Sequence, residues 1–216
     1  MALVPESRAQ PRESPKPCLV LLGGASGSGK SYLAQRFGRP SLSLDDFYRE
    51  IAEDEVAPLP RTPYGEIDWD HPGTWNTDAA VAAVGRLLHD GEVEVPEYSI
   101  ASSSIVGTHT VKMADGPLVA EGVFAAAALP ALRAAGIDVV AWYVDVPPLV
   151  TAVSRFVRDV REHRKPLLFL IKRGYALYRA DGATRRLHLR AGFTPVPKRE
   201  LKRRLAEGQV SPEAYA

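Results

Sequence analysis

The chain has 216 residues, 45% of them hydrophobic and 25% charged, with a formal net charge of +1. That is enough for one α/β domain with a substantial core and too little for two large ones. The near-neutral balance gives no overall drive toward nucleic acid or membrane, and the single cysteine, Cys18, excludes an intramolecular disulfide. A cytoplasmic protein is expected, and Cys18, inside an apolar run, reads as a packed thiol.

Residues 1–16 mix Pro, Ser, Arg and Glu without the apolar centre of a signal peptide, and a disordered tail is expected there. Cys18-Leu19-Val20-Leu21-Leu22 is a short apolar run ending in glycines, the pattern of a buried parallel strand. Ser31 to Phe37 has helical spacing, Ser41 to Leu44 reads as a second strand, and Asp45 to Ile51 as a helical turn. Ala52 to Trp75, rich in Pro and Gly, is expected to be mostly loop. Asp78 to His89 predicts a helix with Thr77 as N-cap and Gly91 as C-cap. Glu92 to Tyr98 and Val106 to Met113 predict a β-hairpin. Leu118 to Ala120 and Val139 to Val144 read as further core strands, with a helix from Pro130 to Gly136 between them. Leu149 to Arg164 predicts a basic helix ended by Pro166, and Leu167 to Tyr178 another. Pro195 to Ala216 is a basic stretch of weak periodicity, read as a C-terminal extension to a domain spanning 17–194.

Strands alternating with helices imply a parallel sheet covered on both faces, with ligands at the carboxyl ends of its strands. The motifs fall there. Gly24-Ala25-Ser26-Gly27-Ser28-Gly29-Lys30-Ser31 matches the phosphate-binding loop pattern without a gap. Its glycines let backbone N–H groups turn inward, and the helix that follows adds its positive end. Lys30 can reach the outer phosphates, and the Ser31 hydroxyl can bind magnesium. Asp45, in Asp45-Asp46-Phe47-Tyr48, can accept a proton from an attacking hydroxyl or can cap a short helix, and spacing leaves both open. Glu121 ends an apolar strand, where it can hold Mg²⁺ or its water shell. Arg155, Arg158, Arg161 and Arg164 recur on one helix face, and one or two of them are expected to neutralise a transferring phosphoryl group. The alternative is a solvated face with pairs such as Arg158 to Glu162.

The phosphate loop, Asp45-Asp46-Phe47-Tyr48, Asp70-His71-Pro72, Val95-Pro96-Glu97-Tyr98, Glu121-Gly122 and Val157-Arg158-Asp159-Val160 occur in the order seen in uridine kinases. The chain resembles that family, within the wider uridine kinase and phosphoribulokinase group, from about Leu19 to Tyr175. The resemblance implies a P-loop nucleoside-triphosphate hydrolase fold with a hairpin insertion and a helical lid near residues 150–166. It implies ATP and Mg²⁺ as cofactors, with Tyr32 and Arg155 joining the loop residues at the nucleotide. Asp45, Lys30 and Arg158 take the catalytic positions, and Ser31 and Glu121 the metal positions. Tyr48, Trp69, Asp70, Tyr98 and Ser103 are expected to line the acceptor pocket. Where uridine kinases place an aromatic ring and a pyrimidine-reading His, this chain has Ile100 and Ser103. An ATP-dependent phosphotransferase acting on a small hydroxyl compound is therefore expected, with weak action on uridine. Its partner is the small-molecule acceptor, with neither membrane nor nucleic acid; a homo-oligomer stays open. The rival readings are a kinase of a non-nucleoside metabolite, a non-catalytic nucleotide-binding module, and a nucleic-acid NTPase suggested only by the basic run Lys198 to Arg204.

Overall fold

The computed structural model describes residues 18–148, 150–151 and 182–210. The lid arginines Arg155, Arg158, Arg161 and Arg164, the two helices expected between Leu149 and Tyr178, and both chain ends lie outside the described residues. Two apolar runs build the centre of the sheet: β1 (Leu19–Gly23) and β5 (Leu118–Glu121) are buried at every position. Successive strand residues point to opposite faces. Leu19, Leu21, Leu118 and Ala120 therefore enter one core, while Val20, Leu22 and Val119 enter the other. Sheets covered on both faces need such continuous apolar strands. Around them lie β2 (Ser41–Ser43), β6 (Val139–Asp145) and β7 (Thr194–Pro197), giving the parallel order β2-β5-β1-β6-β7.

One face is covered by α2 (Thr77–Asp90) and α3 (Ala125–Ala134), the other by α1 (Lys30–Phe37) and α4 (Lys198–Ala206). In α2, Ala80, Ala83, Val84 and Leu87 form the buried stripe. Its cap is Asn76, whose side chain accepts from the Ala79 N–H at 3.0 Å, rather than Thr77, which is already helical. Gly91 ends it in the left-handed conformation, as expected. The hairpin pairs β3 (Glu92–Ser99) with β4 (Ser104–Lys112), with an irregularity at Glu97/Tyr98.

Three further expectations are corrected. The helix placed at Pro130 to Gly136 begins at Ala125, because the buried alanines before Pro130 are strong helix formers and extend it backward. The single turn expected from Asp45 to Ile51 is two 3-10 turns, Leu44–Phe47 and Ile51–Glu55. Tyr48 between them is extended and bridges to Trp75. The stretch read as a basic extension supplies β7, which pairs with β6, and α4, which buries Leu201 and Leu205. The Arg204 guanidinium lies 5.8 Å from the centre of the buried Trp142 ring, so even the basic side chains take part in the packing. Leu201→Ala should therefore cost about 2–5 kcal/mol of stability. A denaturant midpoint equal to wild type would show that α4 adds nothing to the core.

Cys18 is half-buried, its thiol donates to the Val210 carbonyl at 3.1 Å, and burial raises its pKa. It is an inert packed thiol.

Candidate active site

The phosphate loop leaves the carboxyl end of β1, in the middle of the sheet, and runs straight into α1. Gly29 forms the junction at φ +93°, a conformation that side chains rarely adopt, and it provides no side-chain cap. The first turn of α1 contains no acidic residue of its own, so the helix adds no carboxylate against an anion at its positive end. Lys30 is 8% exposed, and its ammonium donates to the Gly24 and Ala25 carbonyls at 2.9 and 3.3 Å. A Cβ on Gly24 would lie 2.9 Å from Ser28 Oγ and 3.5 Å from Lys30 Cδ. Ser28 Oγ is itself buried and, among the described residues, without a hydrogen-bond partner. A folded-back cationic side chain, an orphaned hydroxyl and an uncapped helix start are the features a polyphosphate site needs. Tyr32 stands on α1 just beyond, half exposed.

The acidic residues come from the neighbouring strand ends. In register, Leu22 and Ser43 both lie beside Glu121. Glu121 therefore meets α1, where its carboxylate is hydrogen-bonded to Ser31. Burial pushes Glu121 above the usual carboxylate range, Lys30 and the Ser31 hydroxyl pull it down, and Asp45 and Asp46 push it up. Asp45 lies inside the turn Leu44–Phe47, whose cap is Ser43, so it is not the helix cap. Its Oδ1 accepts from the Val123 N–H at 2.8 Å. Gly122 makes this approach possible, since a Cβ there would come within 2.8 Å of Asp45 Oδ1. Burial raises the Asp45 pKa, opposed by the Val123 amide and the Lys30 charge. Asp46 turns the other way, accepting from the Tyr98 amide and the Ser43 hydroxyl. Of the two adjacent acids, Asp45 is the one that faces the loop.

These residues could hold a magnesium ion through the Ser31 hydroxyl and Glu121. Among the described residues no group of three or more His, Cys, Asp or Glu is arranged as a metal cage. A two-ligand site suits magnesium, which keeps most of its waters and takes the rest of its shell from phosphate.

The expected acceptor residues form one aromatic cluster on the Asp45 side. The Tyr48 ring stacks on Tyr98 at 5.4 Å and meets Trp69 and Phe124 edge-on. The Tyr48 hydroxyl donates to the Trp69 carbonyl at 3.3 Å, and Tyr98 to the Arg49 carbonyl at 3.2 Å. Burial, with Asp45 and Asp70 nearby, raises the Tyr48 pKa, so its hydroxyl stays neutral. Asp70 is exposed at the edge of the cluster. Ser103 sits at the hairpin turn with φ 49°, hydrogen-bonded to Tyr98, and its carbonyl accepts from Ile51 N–H at 2.9 Å. Ile100, at the same turn, is 77% exposed. The His71 side chain is spent locally, its Nδ1 accepting from the Gly73 N–H at 3.0 Å.

Sequence reasoning missed Phe124, which joins Tyr48 to Trp75, and His188. His188 is buried between Tyr143 and Phe193 and packs on Gly23, where any Cβ would collide with its ring. Nδ1 lies 2.8 Å from the Thr184 carbonyl and must donate to it. Burial lowers its pKa, so the ring is neutral. No local motif marks either residue, since both reach the site only through packing.

A glycine-rich loop between the central strand of a parallel sheet and a helix, with acids at the flanking strand ends, defines a P-loop protein of the α/β class. No protein-family model matches the chain. In sequence it is 31% identical over 122 residues to a probable uridine-cytidine kinase of Caenorhabditis elegans, covering 50% of this chain and 48% of that protein. It is 27% identical over 152 residues to a uridine kinase of Saccharomyces cerevisiae, covering 67% of this chain and 29% of the yeast protein. A uridine kinase of Geobacillus kaustophilus is 25% identical over 157 residues, with 68% and 69% covered. The match thus spans about half of the nematode protein and under a third of the yeast one. In structure the chain is similar to a putative fructose transport system kinase from a Silicibacter species, with a TM-score of 0.60, 22% identity, and 88% and 94% of the two chains covered. That likeness concerns the fold. In sequence the chain is thus similar to uridine kinases, and in fold to a P-loop kinase. No helix among the described residues is long and apolar enough to cross a membrane.

Proposed function

We propose that the protein is an ATP-dependent phosphotransferase that moves the γ-phosphoryl group of ATP to a hydroxyl of a nucleoside or related small molecule. The observation that carries this reading is the convergence of Lys30, the Ser31–Glu121 pair and Asp45 on one side of the phosphate loop. A non-catalytic binding module has no need of a desolvated carboxylate beside its phosphate loop. The relatives named as uridine kinases give the same reading independently.

The loop amides and Lys30 would bind the phosphate chain and fix the γ-phosphorus for in-line attack. Ser31 and Glu121 would hold magnesium, which would supply positive charge to the phosphates. Asp45 would accept the proton of the attacking hydroxyl, and its raised pKa makes it a stronger base than an ordinary Asp. The new P–O bond forms as the bond from γ-phosphorus to the bridging oxygen breaks, leaving ADP. Tyr48, Trp69 and Tyr98 would give the acceptor an apolar wall, with Asp70 at its rim for hydroxyl groups. Arg155 and Arg158 retain their proposed roles at the phosphates from the family resemblance, although they lie outside the described residues.

Acceptor selectivity should depart from that of uridine kinases. Ile100 is turned to solvent, and Ser103 is engaged with Tyr98 and Ile51, so neither offers a ring edge to a pyrimidine. A site built without a polar contact cannot select the base that carries its partner. The test is a steady-state comparison of uridine and cytidine with other nucleosides and small hydroxyl compounds. The expected result is turnover of some other compound at higher kcat/KM. Uridine or cytidine as best substrate, at about 10⁴ M⁻¹s⁻¹ or above, would refute this selectivity. Failure of every acceptor would refute the kinase reading.

A further inference from the structure

Lys198 begins α4, immediately after β7 ends at Pro197. In the sheet Pro197 lies beside Asp145, at the carboxyl edge where the phosphate loop also emerges. The Lys198 side chain reaches from that edge to the loop. A Cβ on Gly29 would collide with Lys198 Nζ and come within 2.9 Å of its Cε. The absent side chain at Gly29 therefore has a second role besides its backbone angle: it leaves room for an ammonium group against the loop.

Among the described residues no ion pair engages Lys198: Glu200 is held by Arg203 and Arg204 at 2.7 Å each, Glu207 by Arg203 at 3.1 Å, and Asp145 by Arg185 at 3.2 Å. Lys30 already brings one positive charge to the same loop. Two ammonium groups converging on a backbone rich in N–H donors repel one another unless an anion lies between them. Beside them opens a cavity of about 430 Å³, lined by Ala25 of the loop, Tyr143, Asp145, Arg185 and Pro197. Its volume is within the range of small-molecule sites. Lys198 stands where the loop and this cavity meet, next to Pro197 and against Gly29.

The geometry points to Lys198 as a second cationic ligand of the nucleotide's phosphate chain, supplied by the far end of the polypeptide and closing the loop on its cavity side. The inference rests on the reading of the loop as an ATP site. Lys198 binds charge already present in both ATP and ADP, so it governs affinity, whereas Lys30 governs turnover. An ammonium at this point also ties nucleotide binding to the docking of β7 and α4 on the sheet.

The test is calorimetric titration of the full chain with Mg-ATP and Mg-ADP, alongside saturation kinetics, for wild type, Lys198→Gln, Lys198→Arg and Lys30→Ala. Lys198→Gln should weaken both nucleotides by roughly tenfold or more, the loss of one charge-assisted hydrogen bond. Its KM for ATP should rise by a larger factor than its kcat falls. Lys198→Arg should recover most of the affinity, and the slope of log Kd against log salt should be shallower in Lys198→Gln than in wild type. Wild-type affinity in Lys198→Gln, or equal losses in the Gln and Arg variants, would overturn the inference and leave the ATP site standing. Wild-type protein that binds neither nucleotide would overturn the ATP site and this inference with it.

Discussion

Lys30→Ala should lower kcat by on the order of 10³-fold or more, with the fold intact. Lys30 is buried in the loop and donates to the carbonyl oxygens of Gly24 and Ala25, which a phosphate oxygen can replace as its partner. A preorganised charge aimed at the transferring group in a water-poor site is worth several kcal/mol. Removing it also leaves those carbonyls without their donor, so a modest fall in melting temperature accompanies the loss of activity. Mg-ATP should raise the melting temperature of wild type and do so much less for the variant. Activity within about tenfold of wild type would show that the loop does not serve phosphoryl transfer.

Asp45→Asn should lower kcat by about 10²-fold or more while the affinity for ATP changes little. Asn keeps the shape and can still accept from the Val123 amide, so the local fold is preserved. The stability effect has a definite sign. The Asp45 pKa is raised in the folded protein, so ionising the folded form is disfavoured relative to the unfolded chain. Above the folded pKa the buried carboxylate destabilises the fold, and Asp45→Asn in metal-free buffer at neutral pH should melt at or above the wild-type temperature. In wild type, kcat/KM should fall on the acid side with a midpoint above about 4, the ordinary Asp value, because the base is lost once it is protonated. Full activity in Asp45→Asn, or an acid limb at or below the ordinary value, would move the base elsewhere.

How far these residues could be read from the chain depends on how local their arrangement is. The phosphate loop is contiguous, flanked by a strand buried at every position and a helix, so pattern and structure coincide. Asp45 and Glu121 were legible because a parallel sheet brings the ends of β2 and β5 beside β1, whatever the length of chain between them. Their roles were less legible. Only the Val123 amide and the close approach at Gly122 separate Asp45 from Asp46, and both come from across the sheet. Tyr48 and Tyr98 follow from the family resemblance, but neither Phe124 nor the stacking within the cluster was legible. Tyr48 and Tyr98 come from different elements and meet only through packing. The segment after Pro195 was misread because its four-residue strand contains two prolines and its helix is mostly charged, leaving Leu201 and Leu205 as a sparse apolar signal. Lys198 and His188 escaped for the same reason, since nothing near them in sequence announces the loop they touch.

The destination of the γ-phosphoryl group decides the central claim most directly. Phosphorus NMR can follow Mg-ATP incubated with the protein and a mixture of nucleosides and small hydroxyl compounds. The account predicts loss of the γ resonance matched by a new phosphomonoester signal, with ADP as the other product, and no such signal with Lys30→Ala. ATP that remains unchanged, or that yields only inorganic phosphate with every acceptor, would contradict it.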